Sequence, residues 1–327
     1  MRSGRLVVAA LVVAAASSAQ ERPSAPDPST PVLDGGDLEK SGLPRARRAE
    51  IAGALRDRAY DRAEALLGEA VEQEPRSAEL LRLLGGVLFL RHNYLNAAVA
   101  LKKAEALAPL DEHSRFTLAM SYVVLGRRDW ARPELTKLAE GAPRSALYPY
   151  WTARLDYDEG QYAAAVEALH RALELDPRFI KAHDNLGLCY EALGKNEEAM
   201  RSYEQAVRLN REAKPASPWP PLNLGLLLAK LDRLEEAEAL FRESLRADSR
   251  FPQGHYQLGA VLEKQGRAAE AIRELEEAAR LDTSYPEPYY ALARIYRKRG
   301  DALKADRALE AFQRLKKEKG AAAPGRR

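Results

Sequence analysis

From Pro44 onward, small and large apolar residues recur among polar ones at a spacing of 34 residues. The windows are 44–77, 78–111, 112–145, 146–179, 180–217, 218–251, 252–285 and 286–319, the fifth carrying four extra residues. The twentieth position is alanine in all eight: Ala63, Ala97, Ala131, Ala165, Ala199, Ala237, Ala271 and Ala305. Four residues later stand Leu67, Leu101, Leu135, Leu169, Tyr203, Phe241, Leu275 and Leu309, all large and apolar. The eighth position is Gly or Ala except at Ile51, and the seventh is Leu in six windows.

Each column predicts local structure. Small residues at the eighth and twentieth positions let two antiparallel helices cross closely, and the large residues beside them fill the crossing. Glycine at the fifteenth position (Gly126, Gly160, Gly194, Gly266, Gly300) suits a helix C-cap. Pro75, Pro109, Pro143 and Pro177 end the second helix of the first four windows. A window of this kind is a helix–turn–helix that must stack on its neighbours to bury its apolar face. Abundant Ala, Leu, Glu and Arg, with few β-branched residues, point the same way.

The pattern resembles the tetratricopeptide repeat (TPR), most closely over 184–206, DNLGLCYEALGKNEEAMRSYEQA. The resemblance covers 44–319 and implies an all-α, right-handed superhelical solenoid of eight antiparallel helix pairs with no β-sheet. It also implies a concave groove lined by the second, fifth, ninth, twelfth and thirteenth positions of each window. The groove residues so expected are Phe89, Phe116, Met120, Tyr150, Arg154, Tyr157, Lys181, Asp184, Trp219, Tyr256, Tyr290, Arg294 and Arg297. Aromatic and apolar residues with scattered charges suit an extended peptide or helix of a protein partner, and several of the aromatics are expected to pack between adjacent repeats instead. TPR domains that clamp a C-terminal carboxylate place Asn at the ninth position. Here that position reads Ala52, Gly86, Met120, Arg154, Leu188, Leu226, Ala260 and Arg294, which disfavours that mode.

Three places depart from the pattern. The first window opens P-R-A-R-R, and Arg45, Arg47 and Arg48 oppose the helix macrodipole, so its first turn is expected to fray. These arginines read either as a polar cap on the stack or as a site for an acidic partner or lipid headgroup. Between windows five and six, KPASPWPP predicts a longer loop that divides the array into five plus three, with Pro220 or Pro221 opening the next helix. Trp219 there is either a partner anchor or a cover for the gap under the loop. After window eight comes a flexible basic tail, 320–327, and no further apolar helix caps Leu303, Leu309, Phe312 and Leu315. That end is a candidate homodimer contact.

The N-terminus reads as an address. Arg2 and Arg5 precede the apolar run Leu6–Ala16, and Ser17-Ser18-Ala19 supplies a cleavage site before Gln20. An uncleaved signal anchor is the alternative; after cleavage no stable membrane insertion is expected. The protein is therefore expected to be exported, periplasmic or secreted, in a bacterial envelope. Residues 20–43, rich in Pro and Gly, read as a disordered linker.

Charge and chemistry add exclusions. Lys plus Arg is 51 against 48 for Asp plus Glu, and losing Arg2 and Arg5 leaves the chain nearly neutral, so no nucleic-acid partner is expected. The single cysteine, Cys189, excludes an intramolecular disulfide and reads as a small buried hydrophobe. No catalytic or phosphate-binding motif occurs, and the five histidines lack metal-ligand spacing, so neither enzyme activity nor a cofactor or metal is expected. The sequence thus predicts a non-catalytic interaction scaffold, with a structural subunit of an envelope or secretion assembly as the alternative.

Overall fold

The computed structural model describes residues 35–322, all helices and connections with no strand among them. The described residues form two compact units, divided between Pro143 and Arg144. The expected signal segment 1–19 and the expected linker up to residue 34 lie outside the described residues.

The first unit contains α1 (Gly35–Lys40), α2 (Arg45–Arg56), α3 (Tyr60–Gln73), α4 (Ala78–Leu90), α5 (Tyr94–Leu107), α6 (Glu112–Val124) and α7 (Arg128–Gly141). The second contains α8 (Leu147–Asp158), α9 (Tyr162–Leu175), α10 (Ile180–Ala192), α11 (Asn196–Glu212), α12 (Trp219–Lys230) and α13 (Leu234–Ala247). It continues through α14 (Pro252–Lys264), α15 (Ala268–Leu281), α16 (Pro286–Lys298) and α17 (Ala302–Ala322). Each 34-residue window holds one helix pair, from α2–α3 to α16–α17. Within each unit, every pair packs on the next.

The column alanines from Ala63 to Ala305 are all fully buried, because the second helix of each pair crosses the first at that point. The glycines of the eighth position are closed in by the large residue of the twenty-fourth. A Cβ on Gly85, Gly187, Gly225 or Gly259 would lie 2.5 to 2.7 Å from Leu101, Tyr203, Phe241 or Leu275 respectively. The fifteenth position turns the chain between the two helices with positive φ in every window. Its φ runs from 54° at Arg58 to 80° at Gly266, with His92 and Asp232 the other residues bearing a Cβ.

The proline-rich loop does not divide the array. One core runs from Tyr203 and Val207 on α11 through Leu222 and Leu227 on α12 to Ala305 on α17. Asn210 closes the loop from both sides, donating to Ser217 O and accepting from Ser217 N, each at 2.8 Å. The helix beyond it starts at Trp219, one residue before Pro220. The division between compact units falls instead at Pro143 and Arg144, making three windows plus five.

Two further expectations change. Residues 35–43, assigned to the disordered linker, carry the short helix α1, and Leu38 and Leu43 are buried against Ile51, Ala54, Leu80 and Leu83. The first turn of α2, expected to fray, is helical from Arg45. Arg47 pairs there with Glu50 and Glu69, which offsets the unfavourable charge at the helix start. At the far end, α17 continues through 320–322, into the segment assigned to the tail.

His183 and His255 share the fourth position and staple consecutive windows. Their Nε2 atoms meet Pro177 O at 3.0 Å and Ser249 O at 3.1 Å. His255 Nδ1 also faces Glu274 Oε2 at 2.7 Å, so both ring nitrogens have acceptors and the imidazolium is the fully bonded form. Burial alone would lower this pKa. The hydrogen bonds to Glu274 and Ser249 and the charges of Glu274 and Glu277 outweigh it, leaving the pKa above the ordinary value. A raised folded-state pKa contributes stability that is complete below the unfolded value of about 6.5 and is lost as pH rises through the folded value. The urea midpoint of the wild type is therefore expected to fall relative to His255→Gln between pH 6 and pH 9. A difference independent of pH would exclude the charged staple.

Candidate partner-binding surface

In the second unit the first helices of successive pairs, α8, α10, α12, α14 and α16, each touch the next, so their outward positions form one continuous face. Polar rungs cross it. Asn223 Nδ2 donates to Asp184 Oδ2 at 2.9 Å, and Lys230 Nζ donates to Glu191 Oε1 at 3.0 Å. Glu263 accepts both from the Arg294 guanidinium, whose Nε lies 3.0 Å away, and from Lys298 at 3.4 Å. The hydrogen bond to Glu263 raises the Arg294 pKa.

In three windows of the second unit, the residue that closes the window packs its ring against an aromatic of that window's first helix. Phe179 lies 4.9 Å from Tyr150, Phe251 4.9 Å from Trp219, and Tyr285 5.3 Å from Tyr256, between ring centroids. In the first unit the same closing position holds Ser77 and Asp111, which instead cap the next helix by accepting from Leu80 N and Ser114 N. Trp219 is thus packed against Phe251, in the connection between α13 and α14, and is only partly exposed.

Of the expected groove residues, Phe89, Phe116, Met120, Tyr150 and Asp184 are buried. Phe89 packs edge-on to Tyr94 of the next helix, and Tyr150 contacts Trp151 on its own helix and Phe179 at the end of its window. Arg154, Tyr157, Trp219 and Tyr256 are half-buried, and burial pushes the Tyr256 phenol upward. Lys181, Tyr290, Arg294 and Arg297 are exposed, Tyr290 at 51% while stacked on Phe312. Arg297 reaches Asp306 at 3.3 Å, and both side chains stay largely in solvent.

Sequence reasoning passed over Arg82, which holds the fifth position of its window and whose side chain is only 12% exposed. The signal was its column, where Arg48 and Arg82 stand in consecutive windows ahead of mostly aromatic and apolar residues, but the acidic partner Asp37 lies 45 residues away in a segment whose composition reads as linker. Burial pushes the Cys189 thiol up to about 12, so it is a packing residue and no nucleophile. Among the described residues no group of His, Cys, Asp or Glu is arranged to hold a metal ion. No helix among them is long and apolar enough to cross a membrane.

Comparison with known families agrees with this geometry. Profiles described as tetratricopeptide repeat match residues 48–112, 180–213 and 222–286, and one described as TPR repeat matches 153–194. The chain is a tetratricopeptide repeat protein. A curated relative, the protein O-mannosyl-transferase Tmtc3 of Drosophila melanogaster, is 30% identical over 109 residues. That stretch is 30% of this TPR chain and only 12% of the relative's length. Among solved structures, the APC/C hetero-tetramer Cut9–Hcn1 is similar with a TM-score of 0.60 and 16% identity, over 75% of this chain and 48% of that one. PilW, a type IV pilus biogenesis factor, is similar with a TM-score of 0.55 and 20% identity, over 62% of this chain and 92% of that one. At these identities both likenesses concern the TPR fold alone.

Proposed function

We propose that the protein is a non-catalytic protein–protein interaction scaffold that grips a peptide or helix of a partner on the face built by α8, α10, α12, α14 and α16. The observation that carries this reading is the exposure of Lys181, Tyr290, Arg294 and Arg297 on that one face, beside half-buried aromatics. Such a surface offers aromatic anchors flanked by cationic groups, which favours a partner segment with apolar and acidic side chains. The matched part of the mannosyl-transferase is too small a share of that protein to carry its activity over.

The reading includes export to the cell envelope, on the strength of the charged start, the short apolar run and the Ser17-Ser18-Ala19 site. Sequencing the N-terminus of the mature chain tests this, with Gln20 the expected first residue. For the binding surface, in-cell crosslinking of tagged wild-type protein should join Lys181 to one recurrent partner. The double substitution Lys181→Glu with Arg297→Glu should then weaken that partner's binding at least tenfold while the circular-dichroism melt is unchanged. Undiminished binding by that variant would put the partner elsewhere. Tyr150→Ala is a poor probe, because Tyr150 is core.

A second reading has its own observation. Leu303 is 64% exposed on α17, and Tyr290 and Phe312 stack at the same end of the chain. A structural subunit or homodimer joined through that end would change size on Phe312→Asp, measured by light scattering, whereas the face variant would leave size unaltered.

A further inference from the structure

The first two windows alone carry arginine at the fifth position, Arg48 and Arg82, and both are engaged by the chain's own α1. Arg82 grips Asp37 with two hydrogen bonds, Nη2 to Oδ1 at 2.7 Å and Nε to Oδ2 at 3.1 Å. Both side chains are largely withdrawn from water, at 12% and 17% exposure. Arg48 Nη1 lies 3.4 Å from Glu39 O, and Arg48 Nε is buried with no partner among the described residues. Asp111 and Glu79 stand around Arg82 at 3.4 and 3.8 Å, so its charge remains balanced if Asp37 leaves.

A six-residue helix does not hold its shape alone, and α1 owes its place to docking. The docked residues have a simple chemistry: one carboxylate on a bidentate arginine and one leucine, Leu38, inserted beside Ile51 and Leu83. Four residues, Ser41 to Pro44, tie this segment to α2 and turn through Gly42 at a φ of 74°. The contact is therefore intramolecular and held by tethering as much as by affinity.

We propose that Arg82 reads a carboxylate, and Arg48 a backbone carbonyl, in a site on the first unit that α1 occupies in cis through Asp37, Leu38 and Glu39 O, and that its partner is an acidic, leucine-bearing segment of another protein that displaces α1. The segment 36–43 is then a resident ligand that sets a threshold for binding. The site is on a different unit from the face of the preceding section, so either can fail while the other stands.

The test uses the full chain and a fluorescein-labelled synthetic peptide of residues 32–43, VLDGGDLEKSGL, followed by fluorescence anisotropy. The variant Asp37→Ala with Leu38→Ala opens the site and should bind the peptide at least tenfold more tightly than wild type. Adding Arg82→Glu should abolish that binding, and a peptide with Asn in place of Asp37 should bind at least tenfold more weakly. An opened variant that binds no better than wild type, or that binds equally with Arg82→Glu, overturns the proposal. Should the opened variant fail to fold, the unaltered protein decides the matter by hydrogen exchange. Excess peptide should speed exchange of the amides from Leu38 to Leu43, and unchanged exchange at saturating peptide means that α1 is a fixed cap.

Discussion

Replacing Gly187 by valine should destabilise the second unit by about 3 kcal/mol, at the severe end of what overpacking does to a tight core. A Cβ at that position would fall 2.5 Å from two ring carbons of Tyr203. That ring has nowhere to go: Tyr203 is fully buried, and its hydroxyl reaches Glu191 at 3.4 Å. Burial and the neighbouring carboxylates push the phenol well above its ordinary pKa, so it stays a neutral donor. Gly187→Ala is the milder form, and it has a natural rescue. Three other windows pair Ala with Leu at the same crossing, as Ala119 with Leu135, Ala153 with Leu169 and Ala293 with Leu309. Gly187→Ala combined with Tyr203→Leu should accordingly cost less than the sum of the two singles, with a coupling of about 1 kcal/mol in urea unfolding. Additive effects would mean that the two residues do not share the crossing. Gly53 on α2 is the opposite case, with nothing within 4 Å of an added Cβ, and Gly53→Ala should be neutral or stabilising.

The helix pairs were legible because each repeat solves the same packing problem with the same few side-chain sizes. Alanine in column twenty and a large residue in column twenty-four are demands of one helix crossing, and the column of turns demands positive φ. What was not legible depends on residues far apart in the chain. Proline density over 215–221 marks a loop, but it does not report that Tyr203 and Leu222 share one core across that loop. The composition of residues 20–43 argues for disorder only when averaged. It hides Leu38, Leu43 and above all Asp37, whose partner Arg82 lies 45 residues away. Positions assigned one window at a time also ignore the window-closing residue, and Phe179, Phe251 and Tyr285 pack against Tyr150, Trp219 and Tyr256 from their own windows.

Phe241→Ala makes the opposite error at an equivalent crossing and carries the larger expected cost, about 3–5 kcal/mol. Phe241 is fully buried, and it sits over Gly225, where a Cβ would be 2.6 Å from its ring. Removing the ring leaves a void whose far wall is backbone, which cannot lean in to fill it as a flexible side chain would. Leu222, Leu227 and Leu240 belong to the same core and are already buried, so their collapse would open space elsewhere. In a stack of repeats each pair is stabilised chiefly by its neighbours, and a defect in a central pair weakens the pairs on both sides. The slowest-exchanging amides of α11 to α15 should thus exchange roughly 10²- to 10⁴-fold faster, with those of α2 to α5 unchanged. Acceleration confined to α12 and α13 would mean that each helix pair opens alone. Uniform acceleration across the second unit's helices would show that the core joining α11 to α17 opens as one piece, and that the face proposed for binding is only as stable as that core.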